Sequence, residues 1–316
     1  MIITKAPLRM SFVGGGSDMS SFYSQQNGSV ISTTIDKYVY VALKSNFGNG
    51  YRICYSRTEI CEEVEQIEHP IIRECLKHCK IDEGLEIVSM ADIPGSGSGL
   101  GSSSTFTVAL LKALYAHKNI YKNNRVIAEE ACEIEITKCG EPIGKQDQYA
   151  AAIGGFNKIC FFENDTVTNE KVFLNKEKLQ IIEDNTLVLF TGKTRSASKV
   201  LQDQSAAVRG SADKRSLLLQ MVQLVDPFID ALQNCEIAQM GYLLHENWQM
   251  KKQLSTSIAD HWLNSAYQTA MQNGAIGGKI MGAGAGGFFL FIAPPERHES
   301  IASALGMAEI PVSFST

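Results

Sequence analysis

The chain has no run of lysine and arginine, and 34 acidic against 29 basic residues leave a formal net charge of −5. Without a basic stripe, nucleic acid is not expected as a partner. Long hydrophobic runs are also missing. Apolar stretches such as FFLFIA at 288–293 fall far short of the about 20 residues needed to cross a bilayer. The opening MIITKAPLRM lacks a charged head, a long apolar run and a small-residue cleavage site, so no secretory signal or membrane partner is expected and a cytoplasmic location is. Eight cysteines are present, but none has C-x-x-C spacing and no histidine pair stands nearby to complete a zinc site, which points to reduced, buried thiols. No fixed-period repeat or low-complexity tail occurs.

A composition of 44% hydrophobic and 20% charged residues is that of a globular protein. At 316 residues the chain exceeds the size at which single cores usually stop growing, so two domains are expected. Strands are predicted over 1–13 and 30–44, where Val39, Val41 and Leu43 share a face, and over 51–56 and 85–90. Helices are predicted over 70–80, over 102–119 with Phe106, Ala109, Leu110, Ala113 and Leu114 on one stripe, and over 125–140, ended by Gly140. Strands return at 158–163 and 186–192, residues 195–273 read as mainly helical, and the last stretches, GGFFLFIAPP and IPVSFST, return to β. A polar, charged segment at 176–186 places the seam, giving domains 1–183 and 184–316.

Glycine is concentrated in three places. The first, RMSFVGGGSDMSSFY at 9–23, sets Gly14, Gly15 and Gly16 before Ser17 and Asp18. Such a run is costly in a regular element, so it marks a tight turn or a place where a ligand touches backbone. The second, DIPGSGSGLGSSSTF at 92–106, feeds a strand into a helix. Its backbone N–H groups and the helix N-terminus suit a polyphosphate, and Ser102, Ser103 and Ser104 can cap the helix or reach an anion and its metal. The third, KIMGAGAGGFFLF at 279–291, matches G-x-G-x-x-G in letters through Gly282, Gly284 and Gly287. It leads into a strand rather than a helix, so it is not a dinucleotide fingerprint. GKT at 192–194 fails as a Walker loop because Leu187 stands where glycine is required.

The three stretches, in this order along nearly the whole chain, resemble the GHMP kinase superfamily. PGSGSGLGSSS is similar to its phosphate loop, P-x-x-x-G-L-G-S-S-A, with Ser104 in place of the usual alanine, and GAGAGG is similar to its third motif, which packs against that loop and lines the substrate site. Within the superfamily, APLRMSFVGGGSD at 6–18, STTIDKYVYV at 32–41, GEPIGKQDQYAAAIGG at 140–155 and TGKTRSAS at 191–198 are most similar to the D-glycero-D-manno-heptose 7-phosphate kinases. The resemblance implies an α+β, two-domain GHMP architecture, with an N-terminal ribosomal protein S5 domain 2-like unit and a C-terminal ferredoxin-like α/β unit. It also implies transfer of the γ-phosphate of ATP to a sugar hydroxyl with Mg²⁺, the partners being ATP and a small sugar phosphate. A homodimer is left open.

The same likeness suggests roles. Pro94, Gly97, Ser98, Gly99, Leu100, Gly101, Ser102, Ser103 and Ser104 would bind nucleotide. Glu135, five residues before Gly140, would hold the metal with Ser103, leaving Glu129, Glu130 and Glu133 on a solvated face. Asp147 would be catalytic: an ordinary aspartate is a weak base, yet it can orient a hydroxyl and collect its proton late in a loose transition state. Arg9 matches the family's partner cation. Gly15, Gly16, Ser17 and Asp18 would meet the sugar, together with Gly284 and Ala285. Lys145, Lys193 and Arg195 are expected from their charge to grip a 7-phosphate. His245 reads as a surface or satisfied core residue, and Met240 and Trp248 as core. The sequence leaves two other functions open. One is a fucose- or galactose-type sugar 1-kinase, although GGGSD stands where fucokinase relatives have G-G-W-T-D. The other is a non-catalytic sugar- or nucleotide-binding regulator.

Overall fold

The computed structural model describes residues 1–48, 50–93, 97–193 and 197–315. Two sheets organise them. The first contains β1 (Ile2–Ser11), β2 (Gly28–Ser45), β3 (Tyr51–Cys54), β4 (Thr58–Cys61), β5 (Leu85–Ala91), β6 (Asn157–Phe161) and β7 (Val167–Lys171). Its order is β4-β3-β5-β2-β6-β7, with β1 also on β2. The 18-residue β2 is its spine. β1 runs antiparallel along one edge of β2, while β5 and β6 take successive stretches of the other. The β1–β2 register shifts between Pro7 and Arg9. Proline cannot donate to a ladder, and such irregularities re-aim the residues beside them. Arg9 N–H donates instead to Leu100 O at 3.1 Å, which ties β1 to the second glycine loop.

The second sheet, β8 (Thr186–Phe190), β9 (Gly277–Ile280), β10 (Phe288–Ile292) and β11 (Ala308–Glu309), is antiparallel in the order β11-β8-β10-β9. The helices expected between 195 and 273 run from Ala197–Gly210 to His261–Gln272. The stretch IPVSFST contributes no further full strand. Instead Phe314 bridges Ile35, and Ser315 N–H donates to Thr34 O at 2.8 Å, so this segment crosses back to the first sheet.

Helix Ser102–His117 is not half-exposed as a single stripe would have it: residues from Ser104 to Leu111 are buried all round, as befits a helix apolar on every side. The segment predicted as one helix over 125–140 is α-helical only over Asn124–Cys132 and continues as a π-helix over Glu133–Lys138. Met240 and Trp248 are core residues, and His245 Nδ1 lies 2.8 Å from Tyr267 Oη. All eight cysteines are free. Among the described residues no helix is long and apolar enough to cross a membrane.

Candidate active site

One cleft of about 630 Å³ gathers Arg9, Asp18, Asp147, Gly97–Gly99, Gly101–Ser104, Lys251 and Gly282–Ala283. Its wall is the N-terminus of helix Ser102–His117. The N-cap, Gly101, has φ +76° and supplies no side-chain cap, so the leading N–H groups face outward with the positive end of the helix. A Cβ at Gly101 would lie 3.1 Å from Asp147 Oδ2 and 3.3 Å from Arg9 Cγ. Glycine there lets the helix mouth approach those two side chains.

Asp147 stands in the first turn of helix Gln146–Ile153. Arg9 holds it in a fork: Nε donates to Oδ1 and Nη2 to Oδ2, each at 2.7 Å, while Nη1 donates to Gly99 O at 2.6 Å. The arginine is buried and the carboxylate remains partly open to the cleft. A bidentate pair fixes both position and plane, and the same guanidinium pins the glycine loop. That loop is braced from behind: a Cβ at Gly99 would stand 2.5 Å from Met281 O, and one at Gly282 would stand 2.6 Å from Gly99 Cα. Backbone therefore touches backbone between the second and third glycine stretches. Within the loop, Ser98 Oγ and Ser102 Oγ are 2.9 Å apart. Leu100 is buried beneath it and is not on the cleft wall. Pro94 lies outside the described residues.

Glu135 is fully buried at the π-helical turn, and such wide turns redirect side chains at functional sites. Its Oε1 accepts from Ser103 Oγ at 2.9 Å and its Oε2 from Gln148 Nε2 at 2.7 Å. Burial pushes its carboxyl up to about 7, against hydrogen bonds from Ser104, Gln148 and Ser103 that favour the ionised form. Glu129 and Glu133 are exposed, and Glu130 is partly buried, accepting from Tyr115 Oη and Lys122 Nζ. Among the described residues no three His, Cys, Asp or Glu side chains group as a metal nest. The Ser103–Glu135 oxygens nonetheless fit a hard divalent cation that shares its shell with phosphate oxygens and water. The buried carboxylate, with no side-chain cation in contact with it among the described residues, is the observation that favours this fit.

Asp18 is buried and accepts from Gly16 N–H at 3.0 Å and from Gln146 N–H at 3.3 Å. Burial first, and the charge of Asp147 second, raise its carboxyl above the ordinary range. A Cβ at Gly144 would fall 1.9 Å from Asp18 Oδ2, so Gly144 is what admits this side chain.

Several expected contacts fall elsewhere. Gly16 lines the cleft, but Gly15 and Ser17 do not; Ser17 Oγ donates to Ser29 O at 3.0 Å. The triple glycine is chiefly a packing device: a Cβ at Gly14 would lie 2.1 Å from Ser29 O, and one at Gly16 would lie 2.4 Å from Gln204 Nε2. Gly284 and Ala285 do not reach the cleft wall, because their backbone is turned against Ile258, with Ala285 N–H donating to Ile258 O at 2.8 Å. Gly282 and Ala283 face the cleft instead. Lys145 is turned onto Asp165, with Nζ 2.6 Å from Oδ1, and Lys193 lies over the Trp262 ring at 3.7 Å. Neither lines the cleft. Arg195 lies outside the described residues. Among the charged residues of the cleft wall, Lys251 lies outside every motif singled out in the sequence. Lys251, on helix Ile237–Leu254, is buried and donates to Gly282 O at 2.9 Å.

An uncapped helix mouth in a glycine cradle, facing an arginine-clamped aspartate, defines a phosphotransferase site. The GHMP kinases N terminal domain family matches residues 55–155, and the GHMP kinases C terminal family matches residues 228–308. The chain is 30% identical to D-glycero-alpha-D-manno-heptose 7-phosphate kinase of Campylobacter jejuni, over 96% of this chain and 93% of that one. It is 25% identical to the bifunctional fucokinase/GDP-fucose pyrophosphorylase of Arabidopsis thaliana, over 91% of this chain but 29% of that much longer one. The crystal structure of a D-glycero-D-manno-heptose 1-phosphate kinase from Bacteroides thetaiotaomicron superposes with a TM-score of 0.81 at 25% identity, covering 100% and 96% of the two chains. Lactococcus lactis galactokinase complexed with galactose, at 17% identity and covering 99% and 95%, shares the fold with a TM-score of 0.77. The chain belongs to the GHMP kinase family. It has that family's two-domain α+β fold and is an ATP-using phosphotransferase with an alcohol group as acceptor.

Proposed function

We propose that this kinase transfers the γ-phosphate of ATP to the anomeric hydroxyl of D-glycero-D-manno-heptose 7-phosphate, giving the 1,7-bisphosphate. The observation that carries this is the meeting of Asp147, clamped by Arg9, with the loop 97–104 in one cleft. The substrate is supported by likeness to the Campylobacter jejuni heptose 7-phosphate kinase. In this reading the N–H groups at 97–104 cradle the nucleotide phosphates, and Ser103 with Glu135 holds Mg²⁺, which supplies charge neutralisation when bound. Asp18 accepts from sugar hydroxyls. Asp147 orients the attacking hydroxyl and takes its proton as the loose transition state collapses. Arg9 keeps that carboxylate in place. We place the domain boundary between 183 and 184; the end of the first sheet at Lys171 and the start of the second at Thr186 support a division at the end of the intervening helix Lys176–Asp184.

A second reading, a fucose- or galactose-type sugar 1-kinase, is favoured by one observation: Lys145 and Lys193, expected to grip a distal phosphate, are engaged by Asp165 and Trp262. The test is ADP release with ATP, Mg²⁺ and a panel of heptose 7-phosphate, free heptose, fucose and galactose. Turnover confined to the sugar phosphate supports the first reading. Turnover confined to a free sugar replaces it with the second, and ATP binding with no turnover of any acceptor would support a regulator.

A further inference from the structure

The cleft wall carries two cations among the described residues, Arg9 and Lys251. Arg9 is neutralised by its fork on Asp147. Lys251 is different. Among the described residues its ammonium has one hydrogen bond, to the carbonyl of Gly282, at 2.9 Å. Two of its three N–H groups are therefore uncommitted in a buried position. Gly282 is the residue whose backbone lies against Gly99 of the phosphate loop, so the ammonium sits where that loop meets the corner bearing Asp18. A Cβ built at Gly15 would find Ser11 Oγ at 3.7 Å, Lys251 Nζ at 3.9 Å and Gln146 Nε2 at 4.0 Å. Ser11 Oγ and Gln146 Oε1 are buried without a protein partner among the described residues. Polar atoms left unpaired around a buried cation mark a place built for a ligand rather than for packing. Burial lowers the Lys251 ammonium to about 8, with Asp18 opposing that fall.

We propose that Lys251 is the cation that meets the phosphoryl group in flight, its ammonium donating to that group's oxygens between the phosphate loop and the acceptor. The proposal rests on the kinase reading above and deepens it. In the transfer, the bond from γ-phosphorus to the β–γ bridging oxygen breaks and its electron pair leaves on ADP. The acceptor oxygen forms the new P–O bond and its proton passes to Asp147. Lys251 forms no covalent bond and exchanges no proton. It supplies positive charge that Arg9, already balanced by Asp147, does not.

The test compares the wild-type chain with Lys251→Met and Lys251→Arg, using thermal melting to check that each is folded. Turnover is measured with ATP, Mg²⁺ and heptose 7-phosphate. Separately, without sugar, each protein is titrated with ADP and Mg²⁺ in the presence and absence of aluminium fluoride, a stand-in for the phosphoryl group. Losing a donor aimed at developing charge costs about 10²–10³ in rate. Lys251→Met is accordingly expected to lower kcat on the order of 10²-fold while KM for the sugar moves less than about threefold. Aluminium fluoride should tighten ADP binding in wild type and Lys251→Arg but not in Lys251→Met. If methionine unfolds the protein, Lys251→Gln is read the same way. A large rise in KM for the sugar with kcat kept would make Lys251 a grip on the acceptor. Unchanged kcat and unchanged tightening would make it a tie to Gly282. Either result overturns the proposal. If wild type turns over no sugar phosphate, the substrate reading fails, and the fluoride titration still decides the role of Lys251.

Discussion

Asp147 and Arg9 come from segments 138 residues apart and meet through two bonds of 2.7 Å. The pair spends both carboxylate oxygens on position, leaving a remaining lone pair for a substrate hydroxyl. Asp147→Asn keeps the shape and removes the proposed proton acceptor, so kcat should fall about 10²–10⁴-fold while ADP affinity, read by calorimetry, holds. Lys251 makes a pH prediction. It titrates at about 8 facing Asp18, Arg9 and Asp147, with Lys279 behind it. As pH rises through that value the ammonium loses its charge, so kcat/KM should decline on the alkaline side with a midpoint near 8. Lys251→Arg, whose guanidinium stays protonated, should move that limb upward. An unchanged limb in the arginine variant would assign it to another group. Asp147 and Arg9 were legible in the sequence because each sits within a matched block. Lys251 was not, because only the packing of helix Ile237–Leu254 on the β9 strand buries one lysine of an adjacent pair.

At the scale of elements, the site depends on two glycine loops that touch through their backbones. Gly99 has φ +76° and no room for a Cβ against Met281 O. Gly99→Ala should therefore strip the cradle, reducing kcat/KM for ATP more than about tenfold and costing roughly 1–3 kcal/mol of stability from the left-handed backbone and the clash. Gly140→Ala is the control: its φ is +71°, but nothing lies within 4 Å. It should cost only about 1 kcal/mol and leave ATP use intact, as melting and steady-state rates would report. The order of the three glycine stretches could be read from the chain, but not which glycines face the cleft. Gly282 does and Gly284 does not, a difference set by backbone turns that the letters do not encode. The likeness to the family singled out Glu135 and left Glu133 outside, but the π-helical turn at Glu133–Lys138 was hidden, since the helical pattern of 125–140 looks continuous.

At the scale of the molecule, the two sheets share apolar packing. Phe228, on helix Val225–Asn234, is fully buried and stacks on Phe12 beside β1 with ring centroids 5.1 Å apart. Phe314 from the returning segment packs edge-on against Phe156 at 5.3 Å. A core that crosses between the sheets predicts cooperative loss of both: Phe228→Ala should cost about 3–5 kcal/mol and lower one calorimetric transition rather than split it in two. Most of the strands were visible as β-branched, aromatic or apolar runs, whereas their grouping into two sheets, this crossing, and the turning of Lys145 onto Asp165 depend on distant chain segments meeting. The cleft they frame carries the central claim, that an arginine-clamped aspartate and a glycine cradle together move phosphate to a sugar. The most direct test is phosphorus NMR of the product formed from ATP, Mg²⁺ and heptose 7-phosphate by the wild-type chain and by Asp147→Asn. The expected result is a new anomeric phosphate formed in step with ADP by wild type and nearly absent with the variant; ADP formed with no new sugar phosphate, or equal product from both proteins, would contradict it.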